Sequence, residues 1–354
     1  MNESVLSFKD KYFGDKNFYK MTLTIAVPII IQNLLTNLVS MADNIMVGQL
    51  GTNQMSGVAI INQLFFVFNL LVFGGMSGAG LFSAQYFGQK NHNGVRDVFR
   101  MKILIGITII AISLSVMIFL HEPLINMFLH EGSSSGNIQE TFNYAKNYLY
   151  IMVIGIAPFV ISNCYSTTLK ESGQTVVPMK AGVLAVVFDI VLNYIFIFGK
   201  LGFPAMGVVG AAIATVISRF VECGYLVIYT HRHSNDYPFI KHCYRTLKVP
   251  GSLVKKIIIT GAPLMLNEFL WAGGLTLQTQ ALSTKGLATV GGLNICNTIG
   301  NISNCIFVTM GTTIAIVVGQ LLGAGKLKEA KVTANIIWHD YNSWPTWTCI
   351  STFL

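Results

Sequence analysis

Twenty-six residues, Thr22 to Val47, read TLTIAVPIIIQNLLTNLVSMADNIMV and carry one charged side chain, Asp43. At about 1.5 Å per residue, a helix of this length crosses a bilayer core of roughly 30 Å with some tilt. An ionised carboxylate near the centre of such a helix costs about 2.5 kcal/mol or more, so Asp43 must face protein or water rather than lipid. Two readings stay open from this stretch alone. Asp43 is an ion or proton site, or it touches headgroup water beside the turn at 48–53.

The same pattern recurs along the chain. Apolar spans fall at about 22–47, 57–82, 101–121, 144–167, 176–199, 207–230, 257–280 and 288–320, and the last overshoots a bilayer. Only 11% of the 354 residues are charged against 53% hydrophobic, where soluble domains carry about 25% charged residues. The chain is therefore an all-α polytopic membrane protein. Pro28, Pro158 and Pro263 lie inside spans, where neighbouring helices satisfy the freed carbonyls. The six cysteines show no metal or CxxC spacing and read as reduced packing residues. The first span is too long for a signal-peptide core and lacks a cleavage site, so it is expected to be retained.

Lysine and arginine placement sets the orientation. With the N-terminus cytoplasmic, inner segments hold 19 basic residues, and outer segments hold only Lys146, Lys200 and Lys285. That asymmetry is the positive-inside signal of a plasma-membrane protein with a cytoplasmic N-terminus. It accounts for the net charge of +8 without a nucleic-acid partner.

Slid against itself by 235 residues, the chain repeats. Pro28 falls on Pro263, Gly51 on Gly286, Asn62 on Asn297, Asn69 on Asn304, Gln85 on Gln320 and Gly88 on Gly323. Six spans separate the copies, so both have the same orientation, related by an axis along the membrane normal. The expected organisation is a six-helix lobe with its leader (1–235), a cytoplasmic linker (236–256) and a partial second lobe (257–337). After Lys331 a ninth span begins with VTANIIW and then loses its helical period. Residues 338–354 are expected to be an aberrant tail, a truncated or frame-shifted reading of a longer parent.

Few groups inside the spans carry charge. Arg219 and Glu222, three apart toward the inner end of their span, are expected to form a local ion pair or to snorkel. Asp189 and Asn193, four apart, stack a carboxylate and an amide on one helix face. Together with Asp43 they form an oxygen set suited to Na+, or to a proton if desolvated; the alternative is an interhelix hydrogen bond. Glu268, with Trp271 one turn on, is expected to meet a cationic aromatic ligand, or else to pack as a neutral acid. Gln32 and Asn33 on the first span join them as substrate candidates. Gly74, Gly75, Gly78 and Gly80 lack the strand and lysine of a phosphate loop and read as close helix contacts. No Ser/His/Asp or metal-ligand constellation stands out, so no enzyme activity and no cofactor are expected.

The runs ADNIMVGQLG at 42–51, AQYFGQK at 84–90, LNYIFIFG at 192–199 with GVVGAAIATVISR at 207–219, and VGQLLGAGK at 318–326 occur in order. With Pro28, they resemble the multidrug and toxic compound extrusion (MATE) transporters from about residue 15 to 337. The resemblance implies two six-helix lobes around a V-shaped cavity, here with the last four helices missing. It implies export of cationic amphiphiles, driven by inward Na+ or H+, by a monomer. By position, Asp43, Asp189, Asn193 and Thr215 match the family's ion-coupling groups, with the fifth-helix pair in exchanged order. Glu268 matches a seventh-helix carboxylate of one subfamily. Two rivals are a lipid-linked oligosaccharide flippase, which would need more basic spans, and a non-transporting remnant.

Overall fold

The computed structural model describes residues 14–128, 138–283 and 287–343, with side chains described except at 17, 275–304 and 338–343. The described residues form eleven α-helices and two short 3-10 turns. The helices are α1 (Lys16–Gly48), α2 (Thr52–Gly88), α3 (His92–Phe119), α4 (His121–Asn126), α5 (Ile138–Ile154), α6 (Ile156–Glu171), α7 (Val176–Phe198), α8 (Val208–Arg232), α9 (Gly251–Ser283), α10 (Leu287–Gly323) and α11 (Leu327–Ser343). Among the described residues, α1, α2, α3, α7, α8 and the 305–323 part of α10 are long and apolar enough to cross a membrane. The bent α5–α6 pair is long and apolar enough only when taken together, as a broken span or a re-entrant turn. Helix α9, at 33 residues, reaches about 50 Å.

The repeat extends to the helix boundaries. Helices α1 and α9 are both 33 residues long, and α2 and α10 both 37. Their starting residues, 16 and 251 for the first pair and 52 and 287 for the second, are each 235 apart. Helix α11 starts at 327, again 235 beyond the start of α3 at 92. It runs to Ser343, past the point where the sequence pattern breaks; residues 344–354 lie outside the described residues. Gly51, at φ +135°, caps α2 in a backbone conformation that glycine alone adopts readily. Its repeat mate Gly286 also lies outside the described residues.

One expected span needs correction. The fourth is not a single helix over 144–167: it breaks at Gly155 into α5 and α6, bent by 46°. Pro158 supplies the cause, since its ring cannot donate and clashes with the carbonyl four residues back, at Ile154. Helices α1 and α9, by contrast, run through Pro28 and Pro263.

The first lobe packs around one aromatic and aliphatic core that includes Phe65, Phe68, Phe99, Tyr148, Leu149, Ile156, Tyr165 and Leu226. Helix α7 lies against both α1 and α8, the arrangement on which the site below depends. Gly74, Gly75, Gly78 and Gly80 of α2 allow close approach, as expected, but toward three different neighbours. Gly74 and Gly78 meet α9, Gly75 meets α3, and Gly80 meets the Glu171 carboxylate on α6.

The segment between α8 and α9 is folded onto the first lobe. Arg96 of α3 donates to the Pro238 and Phe239 carbonyls (3.3 and 3.4 Å), and Arg100 to the His242 and Cys243 carbonyls (3.0 and 2.9 Å). Cys243, within this strap, is fully buried. Burial pushes its thiol up to about 11, although the Arg100 guanidinium opposes the shift. Below that pH the thiol is protonated and unreactive. Replacing Arg96 and Arg100 together by alanine removes four charge-assisted bonds, each worth about 1.5–3 kcal/mol, and undocks the strap. Disulfide-exchange labelling of Cys243 at pH 8, followed by peptide mass spectrometry, is expected to accelerate about tenfold or more. An unchanged rate means that the arginines do not hold the strap.

Candidate ion site in the first lobe

Asp189 and Asn193 occupy one face of α7, and both are buried, at 3% and 0% exposure. Asn193 Nδ2 donates to Asp43 Oδ1 at 2.7 Å and to Asp189 Oδ2 at 3.1 Å. One amide nitrogen, with its two protons, thus ties carboxylates from α1 and α7 together. The two carboxyls also lie within reach of each other, and the Thr215 hydroxyl of α8 is within reach of Asp189. Sequence reasoning missed a fifth member, Ser218. Its hydroxyl lies 3.0 Å from Asp189 Oδ1 and 2.8 Å from the Thr215 carbonyl. The signal available was spacing: Thr215 and Ser218 are three apart and so share a helix face.

The Asn193 amide oxygen is buried and accepts no hydrogen bond from the protein. A buried acceptor without a partner is costly. The amide turns its nitrogen to the two carboxyls, so its oxygen adds a further buried acceptor beside a cluster of two carboxyls and two hydroxyls. Such a set suits a hard monovalent cation, and a carboxyl in it also suits a proton. Among the described residues there is no group of three or more His, Cys, Asp or Glu side chains that would hold a metal ion.

Two charged side chains stand elsewhere than expected. Arg219 does not close an ion pair with Glu222. Its guanidinium lies over the rings of Phe65 (5.4 Å) and Phe159 (5.1 Å), and Nη1 is buried without a hydrogen-bond partner. The aromatic faces take the place of the carboxylate. Lys102 counts among the inner basic residues in sequence, yet it is fully buried, with Nζ 2.7 and 2.6 Å from the two oxygens of Glu171.

The four substrate candidates do not converge. Gln32 is half-buried against Gly182 of α7, with its side-chain oxygen unpartnered. Asn33 points the other way and donates to Thr309 of α10 at 3.0 Å, bridging the two lobes. Glu268 is half-buried on α9, and Trp271 is 47% exposed. Among the described residues, no hydrogen bond or ring contact joins Glu268 or Trp271 to Gln32, Asn33 or the ion site.

The MatE family profile matches residues 28–195 and 263–339, more than half of the sequence. The chain belongs to the MatE family. It is a membrane-embedded, non-enzymatic helical protein with a MATE transporter fold. A probable multidrug resistance protein NorM of Thermotoga maritima is 30% identical over 308 residues, covering 86% of this chain and 64% of that protein. One from Halalkalibacterium halodurans is 28% identical over 319 residues, covering 88% and 66%. This MatE chain thus spans just under two thirds of the length of these curated relatives. Among solved structures, a mutant of the Vibrio cholerae MATE transporter VcmN superposes with a TM-score of 0.80 at 18% identity, covering 90% of this chain and 69% of that one. A multidrug resistance MATE transporter in an outward-facing conformation superposes at 0.75 with 23% identity, covering 91% and 69%.

Proposed function

We propose that this MatE chain works as a secondary antiporter that exports cationic or amphiphilic drugs or metabolites in exchange for Na+ or H+. The observation that carries the reading is the cluster of buried Asp189, Asn193 and Ser218 with half-buried Asp43 and Thr215, and its unpartnered amide oxygen. Cation or proton binding there removes a buried negative charge. The helices then repack around the neutral site, and the lobes exchange inward- for outward-facing access. Asp43 and Asp189 are the ion ligands. Asn193 holds both carboxylates in place, and Thr215 and Ser218 orient Asp189.

The first lobe takes residues 1–235, the linker 236–256 and the partial second lobe 257–337, followed by the tail. The N-terminus faces the cytoplasm, and the protein sits as a monomer in the plasma membrane. Substrate meets Gln32, Asn33, Glu268 and Trp271 across the space between lobes. Ethidium movement in proteoliposomes, under an imposed Na+ or H+ gradient, tests the reading. Gradient-dependent movement is expected for one of the two ions. Ethidium retention that ignores both gradients overturns it.

A further inference from the structure

The two lobes meet where the repeat mates Gln85/Gln320 and Gly88/Gly323 lie, at the end of the molecule that carries the basic loops. Helix α2 packs more extensively on α10 and α9 than on α1, its own neighbour in sequence, and α10 packs on α2 and α1. At the crossing of α2 and α10 the contact is reciprocal. A Cβ on Gly88 would collide with the backbone carbonyl of Gln320, and a Cβ on Gly323 with that of Gln85. Each glycine therefore seats the carbonyl of its mate's neighbour, as a two-fold axis requires, at a separation only a Cα allows.

Beside this crossing, the end of α6 is completed by the opposite lobe. A helix leaves its last four carbonyls without partners in the helix. Those of Thr168, Leu169 and Lys170 accept from the backbone amides of Ser172, Gln174 and Gly173. The fourth, Glu171, accepts from Gln320 Nε2 of α10 at 2.7 Å. The Glu171 side chain is fixed in turn by Lys102, which also bonds the hydroxyls of Thr167 (3.0 Å) and Thr168 (3.3 Å). A chain of contacts thus runs from α3 through α6 to α10.

We infer that Gln320, held against the anchored end of α6, is the gating residue of this crossing, and that Gly88 and Gly323 form its seal. Opening the basic end requires the Glu171 carbonyl to exchange the Gln320 amide for water, which enters only as the helices part. At this end the closed state is then favoured by the bond between Gln320 and Glu171 and by the close glycine contact. This rests on the transport reading for its purpose but not for its geometry.

The test uses the full chain, with native cysteines replaced by serine and spin labels at Gln89→Cys and Ala324→Cys. These exposed repeat mates follow α2 and α10. Pulsed dipolar spectroscopy is expected to give one short distance. Gln320→Ala is expected to raise the ratio of long- to short-distance populations about fivefold, the weight of one neutral hydrogen bond. Gly88→Val and Gly323→Val are expected to raise it more than tenfold. Should a valine variant not fold, Gln320→Ala decides alone. An unchanged distribution in Gln320→Ala overturns the inference. If the ends open as expected while the parent moves no ethidium, the gate stands and the transport reading falls.

Discussion

Asp43→Asn is expected to weaken cation binding by about 100-fold or more while leaving the fold intact. The bond from Asn193 Nδ2 to Asp43 Oδ1 at 2.7 Å needs only an acceptor, and the introduced amide keeps its oxygen there. What disappears is one of the two negative charges around the site. At a separation of about 4 Å and an effective dielectric of 20, one such charge attracts a monovalent cation by about 4 kcal/mol. Each 1.4 kcal/mol is tenfold in affinity, and part of the attraction is already offset by desolvation. Titration calorimetry of purified protein with NaCl against a choline chloride blank measures the Na+ branch. Proton release followed with a pH dye in weak buffer measures the other. Ser218→Ala supplies the scale, since it removes one hydrogen bond to Asp189, worth about 1 kcal/mol or fivefold. If Asp43→Asn binds both ions within threefold of the parent, Asp43 is not a ligand, and the coupling mechanism loses its basis.

What the sequence made legible follows from period and spacing. Helices α1 and α2 recur as α9 and α10 because hydropathy and punctuation repeat at a fixed offset, and that offset survives folding to the residue. Asp189 and Asn193 were legible as a pair because four residues bring two side chains onto one face of α7. Ser218 was not. A serine on a helix is ordinary, and only the rotation of α8 against α7 aims it at Asp189. Lys102 was misplaced for a related reason. Its partner Glu171 lies 69 residues away on α6, so nothing local distinguishes it from the basic residues of the neighbouring loop. Arg219 and Glu222 had the right spacing to pair, but the Phe65 and Phe159 rings come from other helices and take the guanidinium instead. The strap between α8 and α9 has no hydrophobic period to read. It is held by its backbone carbonyls, which every sequence has, and by Tyr237, Phe239, Ile240 and Cys243, which sink singly into the core of the first lobe.

Breaking the Lys102–Glu171 pair from one side is expected to destabilise the protein far more than deleting it altogether. Lys102 Nζ is fully buried, and the Glu171 side chain is 11% exposed. Lys102→Met leaves a carboxylate buried without its cation, and Glu171→Met leaves an ammonium buried without its anion. Each is expected to cost about 3–5 kcal/mol. Lys102→Met with Glu171→Met leaves neither charge. Thr167 and Thr168 do not suffer in the double variant, because their hydroxyls already donate to the Asn163 carbonyl (2.7 Å) and the Cys164 carbonyl (2.8 Å). The Glu171 backbone carbonyl still accepts from Gln320. The double variant is therefore expected within about 1–2 kcal/mol of the parent, of either sign. At roughly 2 °C per kcal/mol, the single variants should lower the midpoint of thermal unfolding by about 5–10 °C and the double by a few degrees at most. The comparison is made in one detergent at one scan rate, since such unfolding is governed by rate. Additive losses in the double variant would mean that the two residues act separately. The buried bond between α3 and α6 would then not be what anchors the end of α6 against the opposite lobe.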